Sequence, residues 1–216
     1  RIGAQIVRTL HEDGYKVIIH CHQSEEIAQA LCRELNSKRN SSAQVVVADL
    51  GDNEAIKKLT QTIKSLDLLV NNASVFYPTS TENSTIEDWD KIININLRAP
   101  FFITTGLSKA LATSQGSIVN IIDIHSDRPL KNHSIYNISK AGLKMLTKTL
   151  AKELAPNIRV NGVSPGSILW PQGPAELSQE EKFNMLDRIA LNKHGSTEDI
   201  AEAVLFLADA KYITGE

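Results

Sequence analysis

The sequence predicts a single α/β domain over residues 1–216, a doubly wound parallel sheet flanked by helices. Three observations predict it. Short β-branched runs alternate with helical periodicity along the chain, with no repeat, low-complexity stretch or linker between them. The runs are apolar on both faces, as strands covered from both sides must be. The polar residues that stand out gather where those strands end, the edge at which such folds bind ligands.

The elements follow in order. Ile2 to Asp13 has helical periodicity and Gly14 stops it. Lys16 to His20 is a first strand, and Ser24 is placed to cap a helix to about Asn36. Ala43 to Ala48 is a second strand, Asp52 caps a helix to about Lys64, and Asp67 to Asn71 is a third strand. A long helical stretch covers Thr85 to about Thr113, with a bend expected near Pro100. Gly116 to Ile122 is a strand, Ser134 to Leu154 a helix, and Ile158 to Val163 the next strand. Helices over about Ser178 to Ala190 and Thr197 to Leu207 complete the pattern.

Composition narrows the function classes. With 42% hydrophobic and 22% charged residues, the 216 residues can bury one sizeable core. A formal net charge of -2 gives no general attraction to nucleic acid or an anionic membrane, and no apolar run reaches the roughly 20 residues of a membrane span. Cys21 and Cys32 make no metal-ligand pattern and read as reduced thiols of a cytoplasmic protein. His125, His133 and His194 show no metal spacing either, so packing or solvated roles are expected for them. The chain opens at Arg1 as if inside a helix start and stops abruptly at Glu216, which reads as a segment trimmed at both ends.

Asp123, Tyr136 and Lys140 carry the chemistry. Four residues apart on one helix, Tyr136 and Lys140 share a face, so phenol and ammonium can enter one site. The ammonium is expected to lower the tyrosine pKa and make it a usable proton donor. Asp123 stands thirteen residues upstream at the tip of Ile118-Val119-Asn120-Ile121-Ile122, from which its carboxyl group can join that site. Further polar strand ends outline the crevice: His20-Cys21-His22-Gln23-Ser24, Asp49-Leu50, Asn71-Asn72-Ala73-Ser74 and Pro165-Gly166-Ser167.

With these residues in view, the chain resembles the short-chain dehydrogenase/reductase family over its whole length. Asn71-Asn72-Ala73-Ser74 is similar to that family's Asn-Asn-Ala-Gly motif. Asn96 matches its helix Asn, Tyr136 and Lys140 its Tyr-x-x-x-Lys, Pro165-Gly166 its Pro-Gly loop, and Arg1-Ile2-Gly3 the end of its glycine-rich cofactor loop. The resemblance implies a Rossmann-like fold, here without the family's first and last strands. In that likeness Tyr136 is the proton donor, Lys140 lowers its pKa and binds the nicotinamide ribose, and Asn96 holds a water-linked proton path.

Where most of the family has Ser, this chain has Asp123, a departure typical of pteridine reductases. Arg1, the segment Ser74-Val75-Phe76-Tyr77-Pro78 and the His-rich run from His20 to Ser24 resemble those enzymes as well. The resemblance implies an NADPH-dependent pteridine reductase acting on dihydropterin or dihydrofolate, and on oxidised pterins in addition. NADPH over NADH is expected, because no acid stands at the second-strand end before Glu25 to take a ribose 2′-hydroxyl, whereas His22, Gln23, Ser24 and nearby Arg1 suit a 2′-phosphate. The implied cofactor contacts are Arg1, Ile2, His20, His22, Gln23, Ser24, Asp49, Leu50, Asn72, Ala73, Ser74, Tyr136, Lys140, Pro165, Gly166, Ser167 and Ile168. Arg1, Ser74, Phe76, Asp123, Tyr136 and Trp170 would meet the substrate, Phe76 by stacking. A homotetramer is implied through the long helices. The competing expectations are a carbonyl reductase of the same fold, acting on a 3-oxoacyl thioester or a sugar, and a non-catalytic dinucleotide sensor.

Overall fold

The computed structural model describes residues 1–168 and 178–216 of the chain. Trp170 and most of the loop after Pro165-Gly166 lie outside the described residues. The elements run α1 (Ile2–Glu12), β1 (Val17–Cys21), α2 (Glu25–Lys38), β2 (Ala43–Val47), α3 (Asn53–Thr62), β3 (Leu68–Asn71) and α4 (Ile86–Ile93). They continue with α5 (Ala99–Thr113), β4 (Ser117–Ile121), α6 (Ser134–Leu154), β5 (Arg159–Val163), α7 (Gln179–Asp187) and α8 (Thr197–Asp209).

All strand pairs are parallel. β1 pairs with β2, from Val17 opposite Ala43 to Cys21 opposite Val47. β4 is central to a second group, with Leu68 of β3 and Arg159 of β5 both opposite Ser117. A single sheet was expected; among the described residues there are two, of order β1-β2 and β3-β4-β5. Side-chain packing spans both groups. One apolar cluster contains Val17, Ile19 and Cys21 of β1, Val119 and Ile121 of β4, Ile6 and Leu10 of α1, and Ala201 and Val204 of α8. A second cluster on the opposite side joins Ile118 and Val160 to Ile56, Ile103, Leu107 and Leu150 from α3, α5 and α6. Helices thus cover both sides, as the twofold-apolar strands required.

The stretch from Thr85 to Thr113 is helical throughout, as expected, with a change of helix type just before Pro100. It divides into α4, a π-helical turn over Asn94–Arg98, and α5. Pro100 has no N–H to donate to the carbonyl of Asn96, and its ring crowds that carbonyl, so the backbone widens there rather than merely kinking. Among the described residues, α3, α4 and α8 start on side-chain caps. Asp52 accepts from the Glu54 N–H, while Thr85 with Asp88 and Ser196 with Asp199 form reciprocal capping boxes. Ser24 stands at the N-cap of α2 as expected, yet its hydroxyl makes no capping bond.

Candidate active site

Because every strand is parallel, the loops after β1, β2, β3, β4 and β5 leave from one edge. There α6 brings its first turns against the end of β4. Tyr136 is buried and donates from its hydroxyl to Asp123 Oδ2 at 2.7 Å. The other carboxylate oxygen of Asp123 accepts the backbone N–H of His125 at 2.8 Å, which starts a short 3-10 turn over Ile124–Ser126. Both oxygens of Asp123 therefore act as acceptors. Lys140 is 3% exposed and donates to the carbonyl of Ile121 at 2.9 Å, with its Nζ 5.7 Å from the centroid of the Tyr136 ring.

The electrostatics differ from the expectation. Lys140 was expected to draw the Tyr136 pKa down; instead burial, then the negative charge of Asp123, then the hydrogen bond to it, push the phenol above its ordinary range. The proximity of an ammonium is outweighed because a phenolate here would be desolvated and would face a carboxylate. Lys140 is itself lowered to about 8, chiefly by burial and against the pull of Asp123. One donor of its ammonium is taken by Ile121, and a buried ammonium carries three.

Asn96 sits in the π-helical turn, 1% exposed, with its side-chain amide fully used. Its Oδ1 accepts from Val75 N at 2.8 Å and Ser74 Oγ at 3.2 Å, and its Nδ2 donates to Val75 O at 3.0 Å and Ser139 Oγ at 3.1 Å. The amide thus straps the loop after β3 to α6. The helices approach closely at this level: a Cβ on Gly142 would lie 2.7 Å from Leu97 Cδ2, so a side chain there would push the end of Leu97 aside. A second strap runs from Thr79, whose N–H reaches Asn132 O at 2.6 Å and whose carbonyl accepts the N–H and the hydroxyl of Ser134.

Between the straps stands Phe76. It does not pack beneath its loop; it is 57% exposed, edge-on to Tyr136 at a centroid separation of 4.8 Å. Its ring also stacks on His133 at 4.7 Å and 13°. His133 therefore joins this site, contrary to the bland role expected of it. No metal spacing could have exposed it; its position three residues before Tyr136, at the N-cap of α6, was the available signal. Sequence reading also passed over the buried amide relay from Asn71 to Asn120 to Thr147, with two 2.8 Å bonds that lock β3, β4 and α6 together beneath the site.

The expected cofactor residues form a second cluster along the same edge. The start of α1 lies close against the loop after β3: a Cβ on Gly3 would come 2.6 Å from Asn72 Nδ2, so a larger residue there would displace the end of that side chain. Arg1 is exposed at the N-cap of α1, with Ile2 beginning the helix, and no side chain caps the free N–H groups there. Such an end suits an anionic group. At the end of β1, His20 is committed to the carbonyl of Ala48 at 2.9 Å and its pKa is lowered chiefly by burial, so its ring does not reach out as expected. His22, Gln23 and Ser24 are exposed, and His22 Nε2 lies 3.9 Å from Asp49 Oδ2. Asp49 also accepts the Gly51 N–H, while Leu50 is buried. Ala73 and Ser74 are exposed beside Asn72.

At the end of β5, the carbonyl of Pro165 accepts the Ile124 N–H at 3.2 Å, tying that loop to the Asp123 turn. Gly166 is exposed above it, and Ser167 Oγ lies 2.8 Å from His194 Nε2. Ile168 is half-buried against Gly195. The donor set fits a dinucleotide: an uncapped helix N-terminus, exposed hydrogen-bonding loops and a buried ammonium with donors to spare.

Comparison with known proteins agrees with this geometry. A family model described as enoyl-(acyl carrier protein) reductase matches residues 1–216. The chain belongs to the short-chain dehydrogenase/reductase family. Members of this family are oxidoreductases that use nicotinamide dinucleotides. The chain is 37% identical to the 3-oxoacyl-[acyl-carrier-protein] reductase of Staphylococcus aureus (strain Mu50 / ATCC 700699), over 100% of this chain and 90% of that protein. It is 35% identical to L-xylulose reductase of Bos taurus, over 95% and 84% of the two. Pteridine reductase 1 of Leishmania tarentolae is 32% identical over 100% of this chain and 89% of its own length. A crystal structure assigned as a betaketoacyl-ACP reductase superposes with a TM-score of 0.87 at 30% identity, covering 99% of this chain and 89% of that one. The family is thereby shown, while the three relatives named act on three different substrate classes.

Proposed function

We propose that this short-chain dehydrogenase/reductase is an NADPH-dependent pteridine reductase that takes dihydropterin or dihydrofolate to the tetrahydro form. The observation that carries the reading is the 2.7 Å bond between Tyr136 and Asp123, beside an exposed aromatic ring at Phe76. A flat heterocycle with ring nitrogens needs an aromatic surface to lie on and an acid to protonate nitrogen. Phe76 and the Asp123–Tyr136 pair meet those two needs.

A nicotinamide dinucleotide held along this edge would supply the hydride for the carbon of the C=N bond. The matching proton reaches the ring nitrogen from the Asp123–Tyr136 pair, so one hydride and one proton convert C=N to CH–NH. After the proton leaves, the pair carries one more negative charge, and the buried Lys140 ammonium offsets part of it. Its remaining donors suit the ribose hydroxyls. Arg1, Ile2 and Asn72 would hold the diphosphate at the start of α1, and His22, Gln23 and Ser24 the 2′-phosphate. Asn96 positions Ser74 and Val75, and with them Phe76. Assembly as a homotetramer and a cytoplasmic location accompany this reading; among the described residues no helix is long and apolar enough to cross a membrane.

A second reading is a carbonyl reductase of the same family, favoured by the likeness to 3-oxoacyl and L-xylulose reductases. NADPH consumption with dihydrobiopterin, acetoacetyl thioester and L-xylulose decides between them. The proposal expects turnover of the pterin in preference to both carbonyl compounds, and its loss in Asp123→Ser. Preference for either carbonyl compound with no pterin turnover establishes the second reading. Cofactor binding with no turnover of any of the three points to the non-catalytic sensor.

A further inference from the structure

We propose that His133 is a specificity-determining residue of the substrate site, which braces Phe76 so that a flat heteroaromatic substrate can stack on it. This rests on the pterin reading of the site. The two rings are nearly parallel, 13° apart with centroids at 4.7 Å, in the range of offset stacking. One side of Phe76 is thus supported by the imidazole, Tyr136 meets the ring edge-on, and 57% of the residue stays exposed to receive a ligand.

The pairing is built into the backbone. Thr79 bridges to His133 in parallel, and the Thr79 N–H is held by Asn132 O. Asn132 reaches that position by adopting φ 61°, a left-handed conformation that Asn tolerates better than most residues. Asn96 fixes the other end of the same loop at Val75. Phe76 and His133 are therefore brought face to face by a loop tied at Thr79 to the His133 segment and at Val75 to Asn96. His133 Nδ1 lies 2.9 Å from the carbonyl of Lys131, which assigns the proton to Nδ1 and fixes the ring plane. Although His133 is the N-cap of α6, its side chain makes no capping bond, so its ring is not needed to start that helix. An exposed aromatic ring held by two straps and a stacked partner loses little freedom when a ligand binds, which favours affinity.

The test is the affinity of the NADP-loaded, full-length protein for 2,4-diaminopteridine, measured by titration calorimetry in wild type, His133→Asn and His133→Phe. Asn removes the ring and remains a good N-cap; Phe keeps a ring to stack. Expected is binding about 3- to 10-fold weaker in His133→Asn and within about 2-fold of wild type in His133→Phe. NADP affinity stays unchanged in both, and in turnover the change falls on KM rather than kcat. Equal affinity of His133→Asn and wild type overturns the role of His133 alone. So do equal losses in both variants, or a parallel loss of NADP affinity. If wild type binds no diaminopteridine, the pterin reading falls and this inference falls with it.

Discussion

Lys140 carries the most exposed consequence at the scale of single residues. Its ammonium is charged below about pH 8 and neutral above, because burial disfavours the charged form more than Asp123 restores it. If the ammonium holds ribose and offsets charge on the proton-donating pair, kcat/KM falls as pH rises through about 8. A flat profile well beyond that value would contradict the role. Tyr136 adds no competing limb near neutrality, since its phenol is raised and stays protonated. Phe76 makes a complementary prediction. Its ring is mostly exposed, so Phe76→Ala leaves stability nearly unchanged; it raises the pterin KM by about 10-fold while the NADPH KM holds. Equal changes in both Michaelis constants would favour a packing role.

At the scale of elements, the π-helical turn over Asn94–Arg98 is the joint on which the site depends. Pro100 makes the turn, the turn carries Asn96, and Asn96 binds two elements distant in sequence through four hydrogen bonds. Asn96→Ala leaves the N–H and carbonyl of Val75 without those partners and frees the Phe76 loop. The expected cost is about 2–3 kcal/mol, seen as a thermal midpoint lower by about 4–10 °C, with a raised pterin KM. Asp123 is likewise an element-level residue. It stops β4, starts the following turn through His125 and holds Tyr136 from α6. Its substitution by Ser is expected to loosen that corner as well as remove an acid.

At the scale of the whole molecule, two imidazoles set an acid limit. His11 in α1 is buried against Ser42 Oγ at 2.7 Å, and burial, then Arg39 and Lys38, lower its pKa. His20 is lowered too, chiefly by burial. Unfolded histidine binds its proton near 6.5, so just below that pH the unfolded chain holds more protons than the native one. Stability conferred by the neutral rings is complete above about pH 6.5 and is lost as pH falls through the lower native values. Urea midpoints at about pH 7.5 and about pH 5.5 check this. The drop is expected to shrink in His11→Asn; an unchanged drop would place the acid sensitivity elsewhere.

Much of this arrangement was legible in the residues. The boundaries of α1 and α6, the Asp52 cap, the strand runs and the Asp123–Tyr136–Lys140 trio are local, set by periodicity, caps and the i, i+4 rule, and the structure places them where those rules put them. Two matters were decided only by tertiary contacts. The direction of the Tyr136 shift depends on burial and on a carboxylate from another element, which no helix spacing encodes. The inclusion of His133 depends on a bridge between Thr79 and a residue more than fifty positions away. By itself the sequence determined the elements, the strand-end edge and the Asp123–Tyr136–Lys140 trio. Only the folded chain decided how protons are held there and which ring supports Phe76, because both depend on burial and on partners that meet only when distant segments pack.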